Sequence, residues 1–179
     1  RTHDLARRPM HADEANQGVK VGELLESGHY AYDPRDHHGP TLYYAALPVA
    51  WLRGERTLAT LSETTLRLVP AIAGTTAVVL LAMLGAGLFP GQPGRPPWTA
   101  LTAAALMAVA PPAVYYSRYF IQETLLVAFT LGAFACALRW WRTGAVIWAV
   151  LGGIAVGLMQ ATKATAPLFL VLGAAAALP

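Results

Sequence analysis

Acidic residues all but vanish after position 66. Nine of the ten Asp and Glu lie in residues 1–66, and from residue 67 onward Glu123 stands alone. Charge of either sign is scarce: 13% of the residues, against roughly 25% in a soluble domain. That scarcity excludes an ordinary water-soluble globule. Cys136 is the only cysteine, so no internal disulfide can form and a disulfide-stapled scaffold is excluded. The 13 Lys and Arg form no cluster and alternate with apolar runs, which excludes a nucleic-acid surface despite the net charge of +3. No internal repeat is visible.

What is there is apolar. Hydrophobic residues make up 55% of the chain and the mean hydropathy is +0.43, the composition of a membrane protein. About 20 apolar residues cross a bilayer core of roughly 30 Å, so the intervals between charges locate the spans. Arg67 to Arg95 encloses one and Arg95 to Arg118 a second. Thr124 to Trp141 gives a third, Thr143 to Thr162 a fourth, and "ATAPLFLVLGAAAALP" begins a fifth. The expected fold class is an all-α integral membrane protein: a polytopic helical bundle with a large extracytoplasmic first loop carrying interfacial helices. Residues 1–66 form that loop and residues 67–179 the bundle. The chain opens on Arg1 rather than Met and ends inside an apolar run, the pattern of an internal piece of a longer protein, and a helix is expected ahead of Arg1.

Spans that run up and down place residues 1–66, the 118–123 turn and Lys163 on one side, with Arg95, Arg139 and Arg142 on the other. The positive-inside rule puts the second set in the cytoplasm, helped by Trp140 and Trp141. Within the loop, "HHGPTLYYAALPVAWLRGE" starts at Gly39-Pro40 and stops at Arg53-Gly54, as an interfacial helix would. Ser62 before Glu63 is positioned to cap the first span.

Three places gather chemistry. In "RPMHADEANQG", Asp13 and Glu14 are neighbours, so on a helix they diverge by about 100° and cannot do the same job. Either one serves as a base or metal ligand while the other holds the loop, or both belong to a solvated turn at a helix N-terminus. In "YYSRYFIQETLL", Arg118 and Glu123 flank the junction of two apolar intervals, and their separation of five disfavours a helical ion pair. Such residues face a cavity, an interface or the headgroups. Lys163, in "GLMQATKATAP", either joins them or snorkels to the interface. His11, Asp13, Asp36, His37 and His38 have the ligand chemistry for a divalent cation, although no recognised zinc spacing appears.

An acidic "DE" pair in a large loop, followed in order by "HHGPTLYY", "LRLVPAIAGT", "SRYFIQETLL" and "ATKATAP", resembles the GT-C membrane glycosyltransferases. The dolichyl-phosphate-mannose protein mannosyltransferase superfamily and its archaeal and bacterial glycosylation-locus relatives are the nearest resemblance, over the N-terminal part of such an enzyme. The resemblance implies inverting transfer of a sugar from a polyprenyl-phosphate donor to a protein, lipid or glycan acceptor at the extracytoplasmic face of the cell membrane. Asp13 matches the superfamily's general base and Glu14 its partner. Glu123 matches an acidic position that helps bind acceptor or metal, and Arg118 and Lys163 match basic positions suited to the donor phosphate. The setting of His11, His37 and His38 is not shared across the superfamily, which leaves a Mg or Mn cofactor open. The competing classes are a polyprenyl-lipid transporter or flippase, with Glu123, Arg118 and Lys163 lining a path, and a non-catalytic assembly subunit.

Overall fold

The computed structural model describes residues 2–33, 38–91 and 96–176, and every regular element among them is helical. The helices are α1 (Ala12–Ser27), α2 (Thr41–Leu52), α3 (Glu63–Leu88), α4 (Trp98–Val109), α5 (Pro111–Tyr116), α6 (Glu123–Thr143), α7 (Val146–Thr162) and α8 (Ala166–Ala176). A single 3-10 turn, Leu58–Thr60, precedes α3.

Local signals explain where these helices begin and end. His11 caps α1 by accepting the Asp13 N–H at Nδ1, and the Glu14 carboxylate reaches back to the His11 N–H, closing a capping box. Gly28 ends α1 in the left-handed conformation, φ 70°, and its N–H returns to the Leu24 carbonyl. The helix expected after Gly39-Pro40 is α2, which stops at Arg53, where Gly54 takes φ 75°. Ser62 caps α3 as expected, accepting the Thr65 N–H at 3.3 Å. The same hydroxyl donates to Glu55, whose buried carboxylate is held below its ordinary pKa: burial opposes this, and hydrogen bonds from Thr65 and Ser62 outweigh burial.

Among the described residues two helices, α3 with 26 residues and α6 with 21, are long and apolar enough to cross a membrane. At 1.5 Å per residue α3 reaches roughly 39 Å. The other apolar intervals give shorter helices. The expected second span is divided at Ala110, which has φ −57° and ψ 124° between α4 and α5. Pro111 explains the break, because a proline disfavours helical geometry in the residue before it and has no N–H to continue the ladder. The expected fourth span becomes α7, with 17 residues.

α3 and α6 run side by side in one direction while α4 and α7 return. Gly87 near the end of α3 meets Leu138 and Arg142 near the end of α6, Gly85 meets Ala100 at the start of α4, and Gly152 of α7 meets Cys136. The N-terminal ends of α3 and α6, the C-terminal end of α7, and α1 with α2 therefore share one end of the bundle, as the charge pattern requires. At that end Val21, Leu42, Tyr43, Ala46, Leu66 and Phe120 form the main core. Leu126, Met159 and Ala166 join α6, α7 and α8 in a second.

Gly39 packs directly against the Ala161 carbonyl, joining the start of α2 to the end of α7, and a Cβ there would collide with backbone. Gly153, also in α7, faces open space. Gly39→Ala should lower stability by about 1–3 kcal/mol, the range of overpacking. Gly153→Ala should leave it unchanged or raise it by up to ~1 kcal/mol through helix propensity. Thermal unfolding of the full-length protein in detergent measures both.

Candidate active site

The polar end of the bundle is organised by one side chain of α3. Arg67 is 1% exposed, and its guanidinium donates to both oxygens of Glu14, from Nε and Nη2, each at 2.9 Å. Nη1 donates to the carbonyls of Leu5 at 2.6 Å and Arg8 at 2.8 Å and to Glu63 at 3.2 Å, and Nη2 also reaches the Pro9 carbonyl at 3.3 Å. A buried guanidinium tolerates this place because each of its nitrogens has an acceptor.

Glu14 is equally occupied. It accepts the Phe120 N–H at 3.0 Å, the His11 N–H at 3.3 Å and Arg8 Nη2 at 3.1 Å besides Arg67. Burial alone would raise its pKa, but the hydrogen bonds from Arg67, Phe120 and His11, together with the Arg67 charge, hold the carboxyl below its ordinary value of 4.5. Of the two adjacent carboxylates, Glu14 is the one that fastens the loop. It ties residues 5–9, α1, α3 and the turn after α5 into one unit. Gln17 extends the stitching, taking hydrogen bonds from Tyr43 of α2 and Gln122.

Asp13 points the other way. Its side chain is 71% exposed and lies 3.5 Å from His11 Nδ1. The His11 ring stands 5.7 Å from Tyr119, and Tyr119 stacks on Tyr115 at 5.8 Å. Arg8 lies over both tyrosine rings, at 4.9 and 5.0 Å. Burial, and then the charges of Asp13 and Glu14, push the Tyr119 hydroxyl above its ordinary pKa, so it remains a neutral phenol. Beside this group a cleft of about 440 Å³ opens, lined by Arg8, Tyr115 and Arg118 and walled by Leu5, Val109 and Pro111. Arg118 donates to the Asp4 carbonyl at 2.9 Å.

Arg118 and Glu123 do not pair with each other. Glu123 instead accepts from Lys163 Nζ at 2.7 Å, which joins the start of α6 to the end of α7. His38 is exposed. Its carbonyl accepts from Tyr30 at 3.0 Å, and it borders a separate hollow of about 300 Å³ with Tyr32 and Gln160. Asp36 and His37 lie outside the described residues. Among the described residues no group of three or more His, Cys, Asp or Glu converges as a metal site would require.

The expected residues thus fall into two groups at the same end of the bundle, with Asp13, Glu14, His11 and Arg118 around the turn after α5 and Glu123 with Lys163 across α6 and α7. Sequence reasoning treated Arg67 only as the edge of a span. Its signal was the Glu63–Arg67 spacing of four just inside an apolar helix. Arg8, Tyr115 and Tyr119 carried no local signal, because the fold alone stacks them.

The family described as dolichyl-phosphate-mannose-protein mannosyltransferase matches residues 43–178. The chain belongs to that family. It is accordingly a helical membrane protein of a GT-C mannosyltransferase family. No curated protein and no solved structure matches it. The mannosyltransferase match begins at Tyr43, so it includes Arg67, Arg118, Glu123 and Lys163, while α1 with Asp13 and Glu14 precedes it.

Removing either partner of the buried pair leaves the other charge stranded. Glu14→Gln and Arg67→Met should each cost about 3–5 kcal/mol, and the double variant less than their sum. Because the folded-state pKa of Glu14 is depressed, its contribution is full above 4.5 and is lost as pH falls through the lower folded value. Thermal unfolding of full-length protein should weaken as pH drops below 4.5, with a shallower slope in Glu14→Gln.

Proposed function

We propose that this chain is the donor-facing part of an enzyme that moves a sugar from a polyprenyl phosphate to an acceptor hydroxyl on a protein, lipid or glycan. The observation that carries this reading is the division between two adjacent carboxylates. Glu14 is buried with every oxygen engaged, whereas Asp13 stands exposed beside a cationic, aromatic cleft. A base must reach an incoming acceptor, and only Asp13 of the two is accessible.

In the proposed step Asp13 takes the acceptor's proton as its oxygen attacks the anomeric carbon. The bond from that carbon to the phosphate oxygen breaks, and polyprenyl phosphate leaves with the bonding pair. The configuration inverts because one displacement occurs. Arg118 and Lys163 stabilise the departing phosphate. Glu14 and Arg67 hold the base in place, with no direct part in the step. Residues 1–66 face the extracytoplasmic side of the cell membrane, where lipid-linked sugar is presented.

Asp13→Asn keeps the side chain's size and removes its proton-accepting charge. Turnover of dolichyl-phosphate-mannose by the full-length enzyme in proteoliposomes should fall by roughly 10²-fold or more, with thermal stability unchanged. A near-parent rate would refute Asp13 as the base, whereas absence of donor-dependent transfer by the parent enzyme would favour the transporter or assembly-subunit reading. His11→Ala should matter little, and a large loss together with chelator sensitivity would instead bring a Mg or Mn ion into the mechanism.

Orientation has its own test. In a Cys136-free background, a cysteine at exposed Ser27 should react with an impermeant thiol reagent from outside. One at exposed Thr143, at the opposite end of α6, should stay protected until the membrane is permeabilised. The reverse pattern would overturn the proposed active side.

A further inference from the structure

The Glu123–Lys163 pair is incomplete in a way that the Glu14–Arg67 pair is not. Lys163 Nζ donates to Glu123 Oε1 at 2.7 Å, but Oε2 is enclosed and accepts no hydrogen bond from any described residue. Glu123 borders a slot of about 180 Å³ that it shares with Tyr116, Thr124 and a largely apolar wall of Gly74, Ala77, Pro112 and Val127. It is also the first residue of α6, where the positive end of the helix dipole favours a carboxylate with or without the lysine. Lys163 follows the last turn of α7 in extended geometry, with its N–H fixed to the Met159 carbonyl. Its backbone is therefore anchored while its ammonium sits on a flexible four-carbon stem. An ammonium is a compact point charge that exchanges anionic partners without the planar matching a guanidinium demands.

We infer that Glu123 is a positioning residue that competes with the donor's phosphate for Lys163. This deepens the reading above and rests on Lys163 engaging that phosphate. Without donor, Glu123 holds the ammonium at the α6–α7 junction. When a phosphate arrives, Lys163 turns to it and Glu123 remains on the helix N-terminus. A lysine occupied by an internal anion is available to the ligand for only part of the time, so the apparent donor affinity is reduced by that fraction. The competition keeps the cation aimed before binding, and it returns an anion to Lys163 when the spent lipid phosphate departs.

The direction of this effect separates it from a structural role, because loss of a purely structural ion pair loosens a site and weakens binding. Equilibrium binding of dolichyl phosphate to the full-length enzyme in detergent provides the measurement, with thermal unfolding alongside. Glu123→Gln should bind dolichyl phosphate more tightly, by roughly two- to fivefold, the range of a partly exposed ion pair. Lys163→Met should weaken binding. In the Lys163→Met background, Glu123→Gln should then change nothing. Glu123→Ala provides a second removal of the carboxylate, with the same expected tightening. Weaker or unchanged binding in both Glu123 variants, with Lys163→Met still impaired, would overturn the competition and leave the phosphate role of Lys163 standing. Tightening by Glu123→Gln that persists without Lys163 would also overturn it, reducing Glu123 to a repulsive charge. Unchanged binding in Lys163→Met would remove the phosphate role itself.

Discussion

A single buried ion pair bears the polar end of this bundle. Arg67 and Glu14 are 53 positions apart in the chain and almost wholly enclosed, and they meet through two parallel hydrogen bonds of 2.9 Å. Burying two charges is costly unless every donor and acceptor is matched, and here the backbone supplies what the pair itself leaves over. The carbonyls of Leu5, Arg8 and Pro9 take the remaining guanidinium hydrogens, while the N–H groups of His11 and Phe120 come to the carboxylate. Satisfying one arginine therefore fixes the path of a loop that has little apolar surface to fix itself.

That constraint shapes the site. With Glu14 drawn inward and its neighbour turned by about 100° on the same helix, Asp13 is left at the surface. The Phe120 N–H bond sets the turn after α5 against α1, which brings Tyr119 to His11 and stacks Arg8 over Tyr115 and Tyr119. The break at Ala110–Pro111 contributes as well, because it lets the chain leave α4 and place Pro111, Tyr115 and Arg118 along one cleft. Their spacing of i, i+4 and i+7 puts all three on one helical face, and the break sets where that face points.

Below the site, packing rather than charge holds the helices. Glycines sit at helix–helix contacts, at Gly85 against Ala100, Gly87 against Leu138 and Gly152 against Cys136. Close approach suits an apolar medium, where van der Waals contact replaces the hydrophobic drive between helices. The two ends of the bundle thus differ in kind, with a hydrogen-bonded end above and a close-packed shaft beneath.

The sequence by itself determined the helical membrane class, the cap at Ser62, the stop at Arg53-Gly54 and the sharing of one end by Asp13, Arg118, Glu123 and Lys163. These follow from composition, local capping chemistry and the alternation of charge with apolar runs, all readable along the chain. The tertiary structure alone decided the partners. Nothing within a few residues of Glu14 announces Arg67, and nothing near Glu123 announces Lys163, which lies 40 positions away. Helix periodicity sets which way Asp13 and Glu14 diverge, but it cannot say which one faces inward. That choice belongs to the buried guanidinium of α3, because a charge out of water takes whatever acceptor the fold brings within 3 Å.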